Sequence, residues 1–305
     1  MYGDNRMENI VIRMRGGLGN QLFQLAYGIY LKKYIYKEAR IVLDIREYDQ
    51  YKIRDFELYN YAEGKELILY QKKSYVYDMS RKLWHLISYL YRKQNGIELE
   101  ACSSYMQKMG FIYTTHLAYP LKEKSKRKNC YVYGYFQDVK MVDTVRREIE
   151  RFIESYGNVS PTARCMIDGI KQNKHSIAIS MRLGKDFIIA GQPISKDNFY
   201  YEAVKKIINP ESILYVFSDS FEQAKKYDFG VKNKIVYVEQ CNHYEQILIM
   251  KECKDFVISN SSFAWWGAYL SNNTKKTVIV PPIWMNGVRT IKDTRYYENM
   301  SILEY

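Results

Sequence analysis

In the second half of the chain, short apolar runs alternate with longer stretches in which apolar residues recur every three or four positions. The runs SIAISM (176–181), SILYVFS (212–218), KIVYVE (234–239), DFVISN (255–260) and KTVIVPP (276–282) predict buried strands. Between them NFYYEAVKKII (198–208), FEQAKKY (221–227), YEQILIMKEC (244–253) and FAWWGAYLS (263–271) predict helices. Such alternation is the pattern of a parallel sheet built from βαβ units. The first half opens the same way: ENIVIRM (8–14) predicts a strand, residues 19–36 a helix, and ARIVLD (39–44) a second strand. Residues 65–128 are rich in Tyr and Lys and show no clear period; loops and helices particular to this protein are expected there. Order returns with CYVYGYFQ (130–137), a predicted strand, and MVDTVRREIERFIESY (141–156), a predicted single amphipathic helix. GNVSPTAR (157–164) has the Gly, Ser and Pro of a linker. Two α/β domains are therefore expected, residues 1–160 and 161–305.

With 47% apolar residues in 305, each half can bury a core of its own. The formal net charge of +12 suits an anionic partner: nucleic acid, a phosphorylated small molecule or an acidic membrane surface. The basic residues are spread along the chain with acidic ones among them, and no nucleic-acid-binding motif occurs, which argues against nucleic acid. The five cysteines, Cys102, Cys130, Cys165, Cys241 and Cys253, are odd in number and lack C-x-x-C spacing. Reduced thiols and a cytoplasmic location are the expectation. The most apolar helical stretch, KLWHLISYLYRK, is too short between its charges to span a bilayer. The N-terminus MYGDNRMENI has no apolar core of a secretory signal, and either Met1 or Met7 could be the natural start.

Chemistry first enters at RGGLGNQLFQLAYG (15–28), where a strand runs into a glycine turn and a helix. A dinucleotide loop needs G-x-G-x-x-G and an acidic residue about 20 positions on. Gly17 and Gly19 supply the first half, and Asp44 closes the second strand. The third glycine position is Leu22, which would crowd the helix against the strand beneath it. A nicotinamide enzyme is thus disfavoured. Four further segments accompany this loop: GYFQ (134–137), SMRLGKDF (180–187), FSDS (217–220) and ISNSSFAWWGAYL (258–270). Each follows or ends a predicted strand, so each would lie at the carboxyl edge of a parallel sheet, where α/β proteins bind ligands.

Together these segments resemble the family 11 glycosyltransferases, the α-1,2-fucosyltransferases. The resemblance implies a GT-B-like fold, two Rossmann-like domains facing a cleft. It implies transfer of L-fucose from GDP-β-L-fucose, with inversion, to the 2-hydroxyl of a terminal galactose in a glycan. SMRLGKDF departs from the family pattern His-x-Arg-Arg-Gly-Asp: Ser180 replaces the histidine, Leu183 replaces the second arginine, and Lys185 is inserted before Asp186.

When the bond to the diphosphate breaks, negative charge builds on the β-phosphate and must meet a metal or fixed donors. No Asp-x-Asp pair occurs, and His85, His116, His175 and His243 are scattered, so a metal-independent reaction without cofactor is expected. Arg182 is the best candidate donor, because its planar fork can grip two phosphate oxygens; its structural alternative is a pair with Asp186. Lys185 is a candidate point charge near the diphosphate, and Asp186 a candidate general base by position, unless the departing phosphate takes the proton itself. Asp219 and Ser220 are expected at the nucleoside, with Asp219 also able to cap the helix at Phe221. Asn260, Ser261 and Ser262 before a helix make an anion cradle, and Phe263 could pack on the guanine. Trp265 and Trp266 read as core. Asn20 and Gln21 are expected to reach the donor sugar or β-phosphate, with Gly16, Gly17 and Gly19 permitting close approach. The basic surface suits a lipid-diphosphate-linked acceptor and a peripheral contact with the inner face of the cytoplasmic membrane.

Overall fold

The computed structural model describes residues 8–49, 54–58, 67–70, 75–96, 99, 101–114, 121, 124–155, 157–184, 197–285, 288–289 and 294–304. The chain forms two compact units, Met1–Phe152 and Ile153–Tyr305.

The first unit is a parallel sheet of β1 (Asn9–Arg13), β2 (Arg40–Asp44), β3 (Leu67–Tyr70), β4 (Phe111–Tyr113) and β5 (Asn129–Tyr133). The spatial order is β3-β2-β1-β5-β4, so the winding direction reverses beside β1. Its helices are α1 (Leu18–Tyr34), α2 (Tyr75–Asn95), α3 (Ser104–Lys108) and α4 (Val139–Thr144), and α5 (Arg146–Glu154) runs through the unit boundary after Phe152. Successive residues of β1 serve opposite faces, as the two-residue period of a strand requires. Ile12 meets α1, while Val11 joins Val42, Tyr113 and Tyr133 against Tyr77 and Trp84 of α2.

The second unit is a six-stranded sheet of order β13-β10-β9-β6-β7-β8, parallel throughout. Its strands are β6 (Ser176–Met181), β7 (Ile213–Ser218), β8 (Ile235–Tyr237), β9 (Asp255–Ile258), β10 (Val278–Val280) and β13 (Met300–Ile302); β11 (Ile283–Met285) and β12 (Val288–Arg289) form a separate hairpin. Here too the winding reverses beside the central strand, between β6 and β9. The helices are α6 (Pro161–Gln172), α7 (Asp197–Ile207), α8 (Phe221–Ala224), α9 (His243–Glu252) and α10 (Ser262–Tyr269). Ile177, Ile179, Leu214, Val216 and Val257 pack against α7 on one face. Ala178, Tyr215, Phe217, Phe256 and Ile258 pack against α6, α9 and α10 on the other. A sheet covered on both faces needs apolar residues at every position, which is why its strands read as continuous runs. Trp265 and Trp266 are core, as their position in an apolar run suggested: both are fully buried, and Trp265 Nε1 donates to the Arg295 carbonyl at 2.7 Å.

The structure corrects four local expectations. The strand at 130–137 ends at Tyr133, where its pairing with β4 stops, and Phe136 further on takes a positive φ of 53° that no strand allows. The helix expected over 141–156 is two helices, broken at Val145 (φ −126°, ψ 15°). FEQAKKY holds only one helical turn, Phe221–Ala224. The stretch 157–164 starts a helix: Ser160 caps α6 by accepting from the Ala163 N–H, and Pro161 occupies the first turn, where its missing N–H costs nothing. The Ser160 N–H also donates to Glu245 Oε1 at 2.6 Å, and the other carboxylate oxygen of Glu245 takes the Asn242 N–H at 2.9 Å.

Leu22 causes no crowding where a dinucleotide fold needs its third glycine. It is fully buried, and the close approach of α1 to the sheet is made at Gly28 instead. A Cβ on Gly28 would collide with Ile12 Cδ1 and touch Ile41.

Two predictions concern stability. Gly28→Ala should destabilise by overpacking, about 1–3 kcal/mol, less up to about 1 kcal/mol of regained helix propensity. Ile12→Val deletes the methyl in the way, so in urea titrations the double variant should cost less than the two single changes summed. For Glu245, burial pushes the carboxyl pKa up but is outweighed by the N–H groups of Ser160 and Asn242, which leave it below its ordinary value of 4.5. A depressed carboxylate pKa stabilises above the unfolded value and loses that contribution as pH falls through the folded one. Wild-type unfolding free energy should therefore drop more steeply below about pH 4.5 than that of Glu245→Gln.

Candidate active site

Each unit carries one cluster of polar side chains at the carboxyl edge of its sheet, beside the point where the winding reverses. That is where open α/β sheets bind ligands, since loops from neighbouring strands diverge there and leave a crevice.

In the first unit the loops after β1 and β5 meet. Gly16 has φ +75°, a conformation that disfavours any side chain, and a Cβ there would lie 2.6 Å from Asn20 Nδ2. Gly17 is the N-cap of α1, and its carbonyl accepts from the N–H groups of Asn20 and Gln21 at 2.9 and 3.1 Å. Gly19 lies buried in the first turn. The Gly16 carbonyl accepts from Tyr48 Oη at 2.7 Å and Gln21 Nε2 at 2.9 Å. Burial pushes the Tyr48 hydroxyl pKa far up, so it stays a donor. Gln21 is fully buried: it also donates to the Asp55 carbonyl and accepts from the Glu57 N–H, both at 2.9 Å. Its amide thus ties the loop at 54–58 to the glycine turn.

Asn20, half-buried, accepts through Oδ1 from Gln137 Nε2 at 2.9 Å. Gln24 accepts from the Arg15 N–H and donates to the Gly134 carbonyl, both at 3.1 Å. Phe136 holds its strained conformation by stacking on Tyr27, centroids 4.0 Å apart and planes 2° from parallel. The segments at 15–28 and 134–137 are therefore parts of one assembly. Arg15 was missed by sequence reasoning, although it begins the glycine segment. Its guanidinium donates to Tyr133 Oη, stands 3.4 Å from Glu47, and lies over the rings of Tyr133 and Tyr135. Asp44, where a dinucleotide fold keeps its ribose acid, is fully buried between Arg13 (2.9 Å) and Arg46 (2.7 Å). A carboxylate committed to two guanidinium groups is a poor acceptor for a ribose.

In the second unit three adjacent strands, β7, β6 and β9, end together: Met181 pairs with Ser218 and Ser180 with Ile258. Arg182 leaves β6 and forms an ion pair with Asp219 (Nη1–Oδ2 2.9 Å). The other oxygen of Asp219 accepts from the N–H groups of Leu183 and Gly184 at 2.7 and 2.9 Å. Asp219 thus clasps the turn carrying Arg182. It does not cap α8, whose N-cap is Ser220, and the Ser220 N–H donates to Ser218 Oγ at 3.0 Å. The expected structural partner of Arg182, Asp186, lies outside the described residues, as does Lys185.

On the β9 side the Ser259 N–H donates to the Ser180 carbonyl at 3.1 Å, holding the two loops together at their roots. Asn260 and Ser261 follow, both buried, with Ser262 opening α10. Ser261 caps that helix, accepting from the Ala264 N–H at 3.5 Å. Phe263 is half-buried against the core and meets the ring of His243 edge-on, 5.8 Å between centroids. His243, at the start of α9, was not singled out by sequence; no local spacing links it to Phe263. An arginine held by a carboxylate beside a capped helix start is an arrangement suited to a diphosphate.

The comparisons agree with this architecture. The profile of Glycosyl transferase family 11 matches residues 9–302, and the chain belongs to that family. Two Escherichia coli proteins are similar along nearly their whole length. An alpha-1,2-colitosyltransferase is 24% identical over 295 residues, 91% of this chain and 93% of that protein. The O-antigen biosynthesis glycosyltransferase WbnK is 26% identical over 293 residues, 90% of this chain and 94% of that protein. Among solved structures, the fucosyltransferase NodZ from Bradyrhizobium, a GT-B protein, is similar in fold: TM-score 0.50, 13% identity, covering 86% of this chain and 92% of that one.

Hydrogen bonds to a charged group are worth about 1.5–3 kcal/mol each, and the three at Asp219 serve one turn. Asp219→Ala should lower stability by roughly that amount. It should also speed amide hydrogen exchange at Leu183 and Gly184, read by mass spectrometry, while β10 amides stay protected.

Proposed function

We propose that the chain is an inverting, metal-independent α-1,2-fucosyltransferase, moving L-fucose from GDP-β-L-fucose to the 2-hydroxyl of a terminal galactose in a glycan. The observation that carries this reading is the Arg182–Asp219 clasp, one hydrogen-bonded strand away from the capped start of α10. Family membership supports the transfer of a sugar, and the linkage in the name of the colitosyltransferase supports a 1,2 bond. The relative named for O-antigen biosynthesis supports a surface glycan under assembly as the acceptor, and with it a cytoplasmic site of action.

In this reading the second unit holds the nucleotide. The acceptor oxygen attacks C1 of fucose from the face opposite the diphosphate, and the C1–O bond breaks with its electrons moving to the β-phosphate. Arg182 meets that charge with a fork already oriented by Asp219, so little reorganisation accompanies the reaction. Ser261, Ser262 and the N-terminus of α10 add hydroxyl and dipole donors to the diphosphate, with Asn260 and Ser220 beside them. Phe263 offers an apolar face to the base, and Lys185 a further positive charge. The acceptor proton leaves to Asp186 or to the departing phosphate. The first unit serves the acceptor and the sugar through Asn20, held by Gln137, and through the loop that Gln21 fixes.

The colitosyltransferase favours one second reading, a donor carrying a different deoxysugar of the same series. The two differ in one assay. GDP release from GDP-fucose with lactose as acceptor should require lactose, persist in EDTA, and fall about 10²–10³-fold in Arg182→Ala. Arg182→Lys should recover only part, since a point charge lacks the fork. A protein whose melting temperature rises with GDP, yet which consumes GDP-colitose and leaves GDP-fucose intact, would decide for the second reading. Undiminished turnover in Arg182→Ala would remove Arg182 from the mechanism.

A further inference from the structure

Helix α2 has two apolar faces, and the sheet uses one. Tyr77 and Trp84, two turns apart, pack into the core of the first unit. Tyr77 Oη donates to the Val132 carbonyl at 2.9 Å, and Asp78 pairs with Arg46 at 2.9 Å, so the inner face is anchored. The outer face carries Val76, Met79, Leu83, Leu86 and Leu90, spaced three and four residues apart and therefore in one stripe. These five side chains are 52–64% exposed. So long an apolar stripe in water marks an interaction surface.

We propose that α2 docks the protein on an anionic bilayer, lying in the headgroup plane with this stripe sunk among the acyl chains. Charge selects this occupant. Asp78 is the sole acid of the helix and is already paired, whereas Lys82, Arg92 and Lys93 are basic and exposed; Arg81 is turned to the sheet, over the Tyr133 ring. At 100° per residue, Lys82 and Lys93 fall along one border of the stripe, where long stems cover apolar surface and ammonium groups reach phosphates. Tyr75 and Tyr89, 81% and 54% exposed, add rings suited to the boundary between headgroup and hydrocarbon. A second copy of the helix would set basic flanks against basic flanks with no acid to answer them, whereas anionic headgroups neutralise them. Among the described residues no helix is long and apolar enough to cross a membrane, so this is surface docking of the kind amphipathic helices perform. The inference is independent of which sugar is transferred.

The test is flotation of the full chain with phosphatidylcholine vesicles, with and without phosphatidylglycerol, at rising salt. Binding should require phosphatidylglycerol and weaken with salt. It should fall about fivefold for each of Lys82→Gln and Lys93→Gln, and at least about tenfold for Leu83→Ser with Leu86→Ser. All four positions are solvent-exposed, so unchanged melting temperatures are expected; the lysine variants keep the test valid should the leucine pair unfold. Equal flotation with both vesicle types, no flotation, or binding indifferent to these changes would overturn the proposal. So would a dimer in light scattering that Leu83→Ser with Leu86→Ser dissolves, since the stripe would then belong to a second copy.

Discussion

Burial of both sheets on both faces is the constraint from which the sites follow. Strands such as β6 and β9 are buried at nearly every position, and mostly apolar, because helices lie above and below them. Polar chemistry is thereby excluded from the faces and confined to the edge where strands end. Arg182, Asp219 and Asn260 are each one or two residues past the end of a central strand, and Arg15 and Gly134 stand likewise past β1 and β5. Reversal of the winding beside β1 and β6 opens a crevice at one point of each edge. The polar clusters occupy those two points.

What was legible in the sequence follows from the same constraint. The runs of the second half needed no long-range information, since a doubly covered strand is mostly apolar, α7 keeps one apolar stripe, and α9 and α10 are buried nearly all round. The first half was harder beyond Asp44. Strands β3 and β4 are four and three residues long, too short to stand out from a Tyr-rich background. In α2, Tyr77 and Trp84 face inward while a longer stripe faces out, so periodicity alone points to the wrong face. At 134–137 the residue types favour a strand, yet Gln24 and Gln137 hold that segment as a turn through partners over 100 positions away in sequence. The clasp of Arg182 by Asp219 is invisible for the same reason: 37 residues separate partners that only the register of β6 on β7 unites.

Glycine positions show how a motif can be read too literally. The requirement behind the third glycine of a dinucleotide loop is close approach of helix and strand. Here that requirement is met at Gly28, leaving Leu22 to fill the core. The steric rule survives and its position in the chain moves; Asp44 serves two arginines, and the amides of Gln21 and Gln24 organise backbone.

The altered segment at 180–187 can be weighed in these terms. Ser180 is buried, and its carbonyl receives the Ser259 N–H, so the backbone at this position already has a structural task whatever side chain it carries. The Leu183 side chain packs toward the core beside α7, while its N–H binds Asp219. A second arginine there would lose that packing and bring another positive charge beside the Arg182–Asp219 pair. Among the described residues the clasp pairs the Arg182 guanidinium with the Asp219 carboxylate, and three donors from consecutive residues fix its direction. At Leu183 the chain thus has core packing and a backbone hydrogen bond to Asp219 where the family pattern has a second arginine. In the proposed reaction, the orientation of this one fork is what would meet the charge on a departing diphosphate.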